Sequence, residues 1–245
     1  MSLMRELIFL HGWGASAACW KRQIAHFSAR YQIIAPDLPG HGANRSPATE
    51  PILLPATSDQ RPATVLIGWS YGGMLAIDLV ARAPGRYAGL VLIGCSAQFT
   101  QASSAAGAPG DGLSPAIVKN IIRNLGRDYE ATMRNCYGTF FSKGERSCAE
   151  EFIGENPLPD RAAGVDLLTR LLTLDLKETV SSLRIPALII HGGQDAVCPL
   201  PAGIFLHEHI AGSALEVLPD AGHMPFYTRP AECNRFLEDF IGRLA

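Results

Sequence analysis

The stretch Thr64–Gly73, TVLIGWSYGG, decides the fold of this chain. Thr64 and three apolar residues run directly into Gly68–Gly72, which matches the pattern G-x-S-x-G, and a helical pattern begins at Gly72. In this context the serine is predicted to lie on a tight, strained turn between a buried strand and a helix, with its hydroxyl exposed. Ser70 is therefore the candidate nucleophile. A glycine-rich turn with a merely solvated serine is the alternative.

Short apolar runs of the same kind recur on both sides of this strand. They are Leu7–Leu10, Tyr31–Ala35, Leu90–Ile93, Ala187–Ile190 and Ala214–Leu218. Continuous apolar runs are typical of strands that are buried on both faces of a parallel sheet. Helical patterns alternate with them at Trp20–Ala29, Gly72–Ala83, Ala202–Ala211 and Pro230–Leu244. This alternation predicts an α/β fold with a mostly parallel, doubly wound sheet of about six strands flanked by helices.

Residues 96–183 show no strand pattern. A stretch rich in Gly, Ala, Ser and Pro at 97–112 is followed by helical patterns at Pro115–Leu125, Asp128–Phe141, Cys148–Ile153 and Gly164–Leu174. We predict that residues 96–183, named the lid segment, form a helical insertion over the C-terminal edge of the sheet. Residues 1–95 and 184–245 would then form the core.

A second glycine-rich loop, His11–Gly14 (HGWG), follows the first predicted strand. Acyl transfer to a serine needs two N–H donors for the oxyanion that develops. One is expected to be the backbone N–H of Tyr71, and the other comes from the loop after the first strand. Trp13 N–H is the candidate, with its indole lining the acyl pocket, and His11 is expected to orient the loop. A plain turn with Trp13 as core filler is the alternative.

Two later strands end in polar loops at the same edge of the sheet. Asp195 follows the strand Ala187–Ile190, and His223 follows the strand Ala214–Leu218. Serine is a weak nucleophile that needs a base, and an acid that accepts from the His Nδ1–H leaves Nε2 free to take the serine proton. We therefore predict that Asp195 orients His223. Asp220 is the less favoured acid, and no role is assigned to His41.

Composition narrows the class of protein. A length of 245 residues, 47% of them hydrophobic and 18% charged, suits one globular α/β domain. A formal net charge of -2 gives no case for nucleic-acid binding. Six cysteines without metal-type spacing indicate free thiols in a reducing compartment. The N-terminal residues do not resemble a secretory signal, and no apolar run approaches the ~20 residues that span a bilayer. We therefore expect a soluble, cytoplasmic protein without membrane contact.

Together these motifs resemble the α/β-hydrolase superfamily. The matching stretches are His11–Gly14, Asp37–Gly42, Gly68–Gly73, His191–Asp195 and Ala221–Phe226. The pairing of HGWG with GWSYGG resembles the pimeloyl-[acyl-carrier protein] methyl ester esterases of biotin synthesis, as do residues 137–144 and the turn Asn156–Pro159. The resemblance implies a catalytic triad and a set of substrate contacts, and it implies neither a metal nor an organic cofactor. The triad is Ser70, Asp195 and His223, and the contacts are Trp13, Ser70, Tyr71, Tyr137, Phe140, Phe141 and His223.

The chain departs from that family in two places. It begins almost at the strand before the HGWG loop, where relatives carry one or two further strands, so a sheet of only about six strands is expected. Residues 43–63 contain many helix breakers and no amphipathic pattern, where relatives place a helix beside the serine strand. Neither departure affects the three catalytic candidates.

The implied reaction is hydrolysis of a carboxylic ester through an acyl-enzyme on Ser70. Two other hypotheses stay open. One is a small-ester, lactone or carbon–carbon bond hydrolase of another pathway. The other is a triad-bearing protein that senses a small ligand with little turnover.

A basic stretch of the lid segment suggests a partner. Between residues 119 and 146 six basic residues (Lys119, Arg123, Arg127, Arg134, Lys143, Arg146) stand against three acidic ones (Asp128, Glu130, Glu145). Acyl-carrier proteins are strongly acidic, so Arg123, Arg127 and Arg134 are predicted to dock one. An ordinary solvated helix face is the alternative.

Overall fold

A six-stranded parallel sheet forms the centre of the molecule. The computed structural model describes residues 5–50, 52, 54, 64–100 and 112–244. The strands are β1 (Glu6–Leu10), β2 (Gln32–Ile34), β3 (Thr64–Trp69), β4 (Gly89–Ile93), β5 (Ala187–Gly192) and β6 (Ala214–Leu218). They lie in the order β2-β1-β3-β4-β5-β6, and every neighbouring pair is parallel. The predicted α/β fold is confirmed, and the sheet is parallel throughout the described residues.

Ten α-helices and two short 3₁₀ turns, at Ala17–Trp20 and Lys143–Glu145, complete the described part of the chain. The helices are α1 (Lys21–Phe27), α2 (Tyr71–Arg82), α3 (Pro115–Arg127), α4 (Tyr129–Gly138), α5 (Arg146–Glu155), α6 (Arg161–Leu171), α7 (Lys177–Ser182), α8 (Leu200–His209), α9 (Pro225–Thr228) and α10 (Pro230–Arg243). The helical patterns of the sequence predict all of them except α7 and α9, which are too short to carry a helical period. Helix α3 begins after Ser114, whose hydroxyl accepts from the N–H of Ala116.

The strand order places a topological switch point between β1 and β3. The connection through α1 leads from β1 to β2 on one side, whereas the connection through α2 leads from β3 to β4 on the other. Because such crossovers are right-handed, α1 and α2 lie on opposite faces of the sheet. The loops that follow β1 and β3 therefore separate at the carboxyl edge and leave a crevice, which is where α/β sheets bind ligands.

Burial follows position in the sheet. The central strands β3 and β4 are buried along their whole length. The edge strands β2 and β6 are only partly buried, since each has a neighbour on one side alone. The expectation of burial on both faces is therefore wrong for the two edges. Helices α3–α7 lie between β4 and β5, in the lid segment, where α3 packs against α4 and α6.

Several other predictions concern regions that are partly described. Residues 43–50, 52 and 54 contain no helix, and the rest of the irregular segment 43–63 lies outside the described residues, as do residues 101–111 of the small-residue stretch. All six cysteines are free. In the part of the chain that the structure describes, no helix has both the length and the apolar character needed to cross a membrane.

Gly72 marks the closest approach of α2 to β1. A Cβ at this position would lie 2.2 Å from the carbonyl oxygen of Leu10 and 2.6 Å from that of His11, two backbone atoms that cannot turn aside. We expect Gly72→Ala to lower the free energy of unfolding by about 3 kcal/mol or more in urea denaturation. Gly126 on α3 has nothing within 4 Å of its Cβ position, so Gly126→Ala should raise that energy by about 0.5–1 kcal/mol. If Gly72→Ala and Gly126→Ala changed the free energy of unfolding by similar amounts, the close contact of α2 with β1 at Gly72 would be contradicted.

Candidate active site

Ser70 adopts a strained backbone conformation at the carboxyl end of β3. Its φ of 54° and ψ of −121° make it the one non-glycine residue with positive φ in the described chain. The strain is held from both sides. Ser70 N–H donates to Ile93 O of β4 at 2.9 Å, and Ser70 O accepts from Gly73 N–H at 2.9 Å as α2 begins. Strain of this kind persists only where the surroundings over-determine it, and it clusters at functional sites.

Small residues around Ser70 make this turn possible. A Cβ at Gly68 would lie 2.4 Å from Gly72 O, so neither position admits a side chain. A Cβ at Gly12 would lie 3.0 Å from the Cβ of Ser70. The HGWG loop after β1 therefore lies directly against the serine, as expected for the second wall of the crevice.

Asp195 and His223 form a buried hydrogen-bonded pair on the loops after β5 and β6. His223 Nδ1 lies 2.7 Å from Asp195 Oδ2, and both side chains are almost fully buried. Asp195 Oδ1 accepts from the N–H groups of Val197 and Cys198, each at 2.8 Å. Because an ionised carboxylate only accepts, Nδ1 of His223 must be the donor, which leaves Nε2 as a free acceptor.

The backbone of His223 is fixed by two further contacts. Its N–H donates to Phe140 O at 2.8 Å, and its carbonyl oxygen accepts from the indole Nε1–H of Trp69 at 2.9 Å. Trp69 immediately precedes Ser70 and so ties the serine turn to the histidine loop. No hydrogen bond joins Ser70 Oγ to His223 among the described contacts. Such catalytic hydrogen bonds often form only in the complex with substrate.

Two backbone N–H groups near Ser70 are free to bind an oxyanion. Within the described residues, neither Trp13 N–H nor Tyr71 N–H has a hydrogen-bond acceptor. Tyr71 is the first residue of α2, so the helix dipole adds positive potential there. The Nε1–H of the Trp13 indole donates to Gly164 O of α6 at 2.7 Å, which joins the HGWG loop to the lid segment.

Two buried histidines hold the HGWG loop in place. His11 Nε2 accepts from Leu38 N–H at 2.9 Å, and its Nδ1 lies 2.9 Å from Gly12 O. Burial lowers the pKa of His11 to about 3, with His41 nearby adding to the effect. His41 Nε2 accepts from Gly14 N–H at 3.4 Å, and burial likewise lowers the pKa of His41. Both rings are therefore neutral at pH 7 and act as structural hydrogen-bonding groups, as expected for His11.

The predicted substrate contacts of the lid segment lie in an aromatic cluster. Tyr137 donates its hydroxyl proton to Gly14 O. The Phe140 ring centroid lies 5.5 Å from that of His223, whereas the Phe141 ring packs against Phe152 and Tyr227. The predicted docking residues are exposed on α3 and α4. They are Arg123, Arg127 and Arg134, the last paired with Glu130 at 3.0 Å.

Sequence reasoning missed three residues of the site. Trp69 holds the carbonyl of His223, as described above. His191 lies 3.6 Å from Asp195 Oδ2 and donates from Nε2 to Cys198 O at 2.7 Å, and burial lowers its pKa. Glu145 accepts from Gly222 N–H at 2.8 Å. One signal for Glu145 was present: residues 142–145, SKGE, match the capping-box pattern.

Comparison with known proteins identifies the family. The model of the alpha/beta hydrolase family matches residues 7–236. The chain is 32% identical to a pimeloyl-[acyl-carrier protein] methyl ester esterase of Aromatoleum aromaticum, over 96% of this chain and 98% of that protein. It is 29% identical to the protein of the same name from Nitrosomonas europaea, over 93% and 92% of the two chains. The chain therefore belongs to the alpha/beta hydrolase family.

Solved structures share the same fold. An esterase from Exiguobacterium antarcticum superimposes with a TM-score of 0.82 at 22% identity, covering 97% of this chain and 92% of that one. An enol-lactonase from Burkholderia xenovorans gives a TM-score of 0.80 at 18% identity, over 98% and 92% of the two chains. The predicted enzyme class within this family, a carboxylic ester hydrolase, is confirmed by the named esterases among the relatives.

The contacts of Asp195 and Asp220 lead to opposite expectations for their removal. The Asp195 carboxylate accepts a hydrogen bond from the His223 ring. The Asp220 side chain is exposed, and only the backbone carbonyl of Asp220 contacts the lid segment, where it accepts from Ser142 Oγ. We expect Asp195→Asn to lower kcat for p-nitrophenyl butyrate by about 10³–10⁴-fold, since the amide favours the wrong histidine tautomer. The matched variant Asp220→Asn should stay within about threefold of the unmodified enzyme. A larger loss for Asp220→Asn would exchange the two roles.

Proposed function

We propose that this enzyme hydrolyses the methyl ester of pimeloyl-[acyl-carrier protein] in biotin synthesis, with Ser70 as nucleophile, His223 as general base and Asp195 as the residue that orients His223. One observation carries the proposal. A serine strained into positive φ lies at the same sheet edge as a buried Asp–His pair, in a chain similar over nearly its whole length to esterases of that name.

Acylation begins when Ser70 Oγ attacks the ester carbonyl carbon. The serine proton passes to Nε2 of His223, and the positive imidazolium is stabilised by Asp195 through Nδ1–H. The carbonyl oxygen gains negative charge and accepts from the N–H groups of Trp13 and Tyr71. Collapse of this intermediate breaks the ester bond, and the leaving methoxide takes the proton from His223 and departs as methanol.

Deacylation repeats the same steps with water. His223 Nε2 takes one proton from water, and the hydroxide attacks the acyl-enzyme carbonyl. The same two N–H groups hold the second oxyanion. Collapse breaks the bond to Ser70 Oγ, which recovers its proton from His223. The products are a carboxylic acid, which loses its proton to water at neutral pH, and regenerated serine, so the chemistry needs no group beyond these residues and water.

The acyl-carrier protein would dock on the face of the lid segment that exposes Arg123, Arg127 and Arg134. Arg123 and Arg127 are one helical turn apart on α3, and Arg134 follows on α4, all three exposed. An acidic partner approaching this face is attracted over distances comparable to the Debye length, about 8 Å at physiological salt. Exposed pairs add little affinity individually, so the attraction acts mainly on the rate of association.

Ser70→Ala tests the reaction. We expect the variant to fold as the unmodified enzyme does, because alanine removes only the hydroxyl, and to lose ester turnover by at least about a thousandfold. The measurement is kcat/KM for p-nitrophenyl acetate and butyrate, with circular dichroism as the folding control. A folded Ser70→Ala protein that keeps more than a tenth of the activity would refute the nucleophile.

Growth of a biotin-requiring bacterial strain that lacks its own esterase tests the substrate. The unmodified gene should restore growth without biotin, and the Ser70→Ala gene should not. Ester turnover without rescue would indicate an esterase or lactonase of another pathway. Ligand binding without turnover by the unmodified enzyme would indicate a sensor.

Charge reversal tests the docking surface. We expect Arg123, Arg127 and Arg134 reversed together to Glu to lower kcat/KM for an acyl-carrier-protein ester about tenfold or more at low salt, through the association rate. Turnover of p-nitrophenyl butyrate should stay within about twofold, since that substrate carries no charge. The matched control reverses Arg184, Arg235 and Arg243, three exposed arginines outside the lid segment. Equal losses for both triple variants would exclude docking on α3 and α4.

A further inference from the structure

The lid segment is joined to the histidine loop by three hydrogen bonds. His223 N–H donates to Phe140 O at 2.8 Å, and Ser142 Oγ donates to Asp220 O at 2.9 Å. Gly222 N–H donates to Glu145 Oε2 at 2.8 Å. The loop that carries the proposed base therefore contacts the lid segment at residues 220, 222 and 223.

Glu145 is the one charged side chain in this contact, and it is only 2% exposed. Its Oε2 also accepts from Ser142 N–H at 2.9 Å, which completes a capping box at the 3₁₀ turn Lys143–Glu145. Its Oε1 makes no hydrogen bond with the described residues, and Arg229 Nη1 lies 3.8 Å away. Burying a carboxylate is costly, and a capping box needs no burial, so capping alone does not account for this glutamate.

The lid segment and the loop 220–223 are in direct contact, with no room for a side chain at Gly222. A Cβ at Gly222 would lie 2.7 Å from both Phe140 O and Ser142 N. Residue 222 must therefore be glycine for the lid segment to reach the loop, and its N–H then has Glu145 as its acceptor. The lid segment also contacts the side chain of His223, since the centroids of the Phe140 and His223 rings lie 5.5 Å apart.

We infer that Glu145 is a positioning residue: its buried carboxylate holds Gly222 N–H and so fixes the loop that aims His223 at Ser70. This inference rests on the proposed function, in which His223 is the base. Glu145 contacts neither the substrate nor the reacting atoms, and it acts through the backbone of the residue before His223. The lid segment thus takes part in assembling the proposed triad as well as in covering it.

Loss of the carboxylate leaves Gly222 N–H buried without an acceptor and frees the loop to shift. A displacement of about 1 Å in a catalytic group costs on the order of a hundredfold in rate. Because Glu145 does not line the substrate, the loss should fall on kcat while KM stays nearly constant. A role confined to stabilising the lid segment would lower thermal stability without this selective effect.

The test compares four variants with p-nitrophenyl butyrate as substrate. Glu145→Ala should lower kcat at least about tenfold, with KM within about threefold. Glu145→Gln keeps one oxygen that can accept from both Gly222 N–H and Ser142 N–H, so it should restore kcat to within about threefold of the unmodified enzyme. Glu145→Asp is one methylene shorter and should fall in between, and it replaces the alanine variant if that protein does not fold. The control Glu150→Ala removes an exposed glutamate of α5 and should change nothing.

A second readout does not depend on turnover. The proton of His223 Nδ1, hydrogen-bonded to Asp195, should give a far-downfield ¹H NMR resonance that assignment with His223→Gln identifies. We expect this resonance to persist in Glu145→Gln and to broaden or vanish in Glu145→Ala or Glu145→Asp. If the unmodified enzyme turned over no ester, the proposed function would fail, and the resonance would still decide whether Glu145 orders His223. The inference would be overturned if Glu145→Ala left both the resonance and kcat unchanged. It would also be overturned if kcat of Glu145→Gln were no higher than that of Glu145→Ala or Glu145→Asp.

Discussion

The backbone of Ser70, held at a φ of 54°, is the constraint on which the rest of the site depends. An L-residue adopts such a conformation only when its surroundings leave it no other. Here the hydrogen bond to Ile93 O, the start of α2 and the glycines at 68 and 72 supply that enforcement. Strand β3 must therefore be central, flanked by β1 and β4, for the serine to be presented at all.

The same constraint explains where the other groups lie. The carboxyl ends of parallel strands lie at one edge of the sheet, so the loops after β1, β3, β5 and β6 all lie at that edge. Buried histidines at this edge have two different roles. His11, with a pKa lowered by burial to about 3, stays neutral and braces the HGWG loop. His223 instead faces a carboxylate, which sets its tautomer and stabilises the charge it would gain as a base.

The fold was predictable from sequence because its signals are local. Six apolar runs and the intervening helical periods gave every strand and all but the two shortest helices. The candidate triad followed from two facts, the G-x-S-x-G context and the rule that loops at the carboxyl ends of parallel strands meet. Tertiary side-chain contacts were not predictable. The indole of Trp13 donates to α6, the indole of Trp69 holds His223 O, and Glu145 reaches Gly222 across 77 residues of chain. None of these partners is encoded by a period or a spacing, since each contact joins residues that are far apart in the sequence.

The central claim, that the strained turn presents Ser70 as a nucleophile activated by His223, is tested most directly by covalent labelling. The purified enzyme is incubated with a p-nitrophenyl alkylphosphonate, and its intact mass and tryptic peptides are measured. The account predicts one phosphonyl group per chain, on Ser70, formed at a rate that falls sharply when His223 is replaced by Gln. A label on another residue, no label at all, or a labelling rate indifferent to His223 would contradict it.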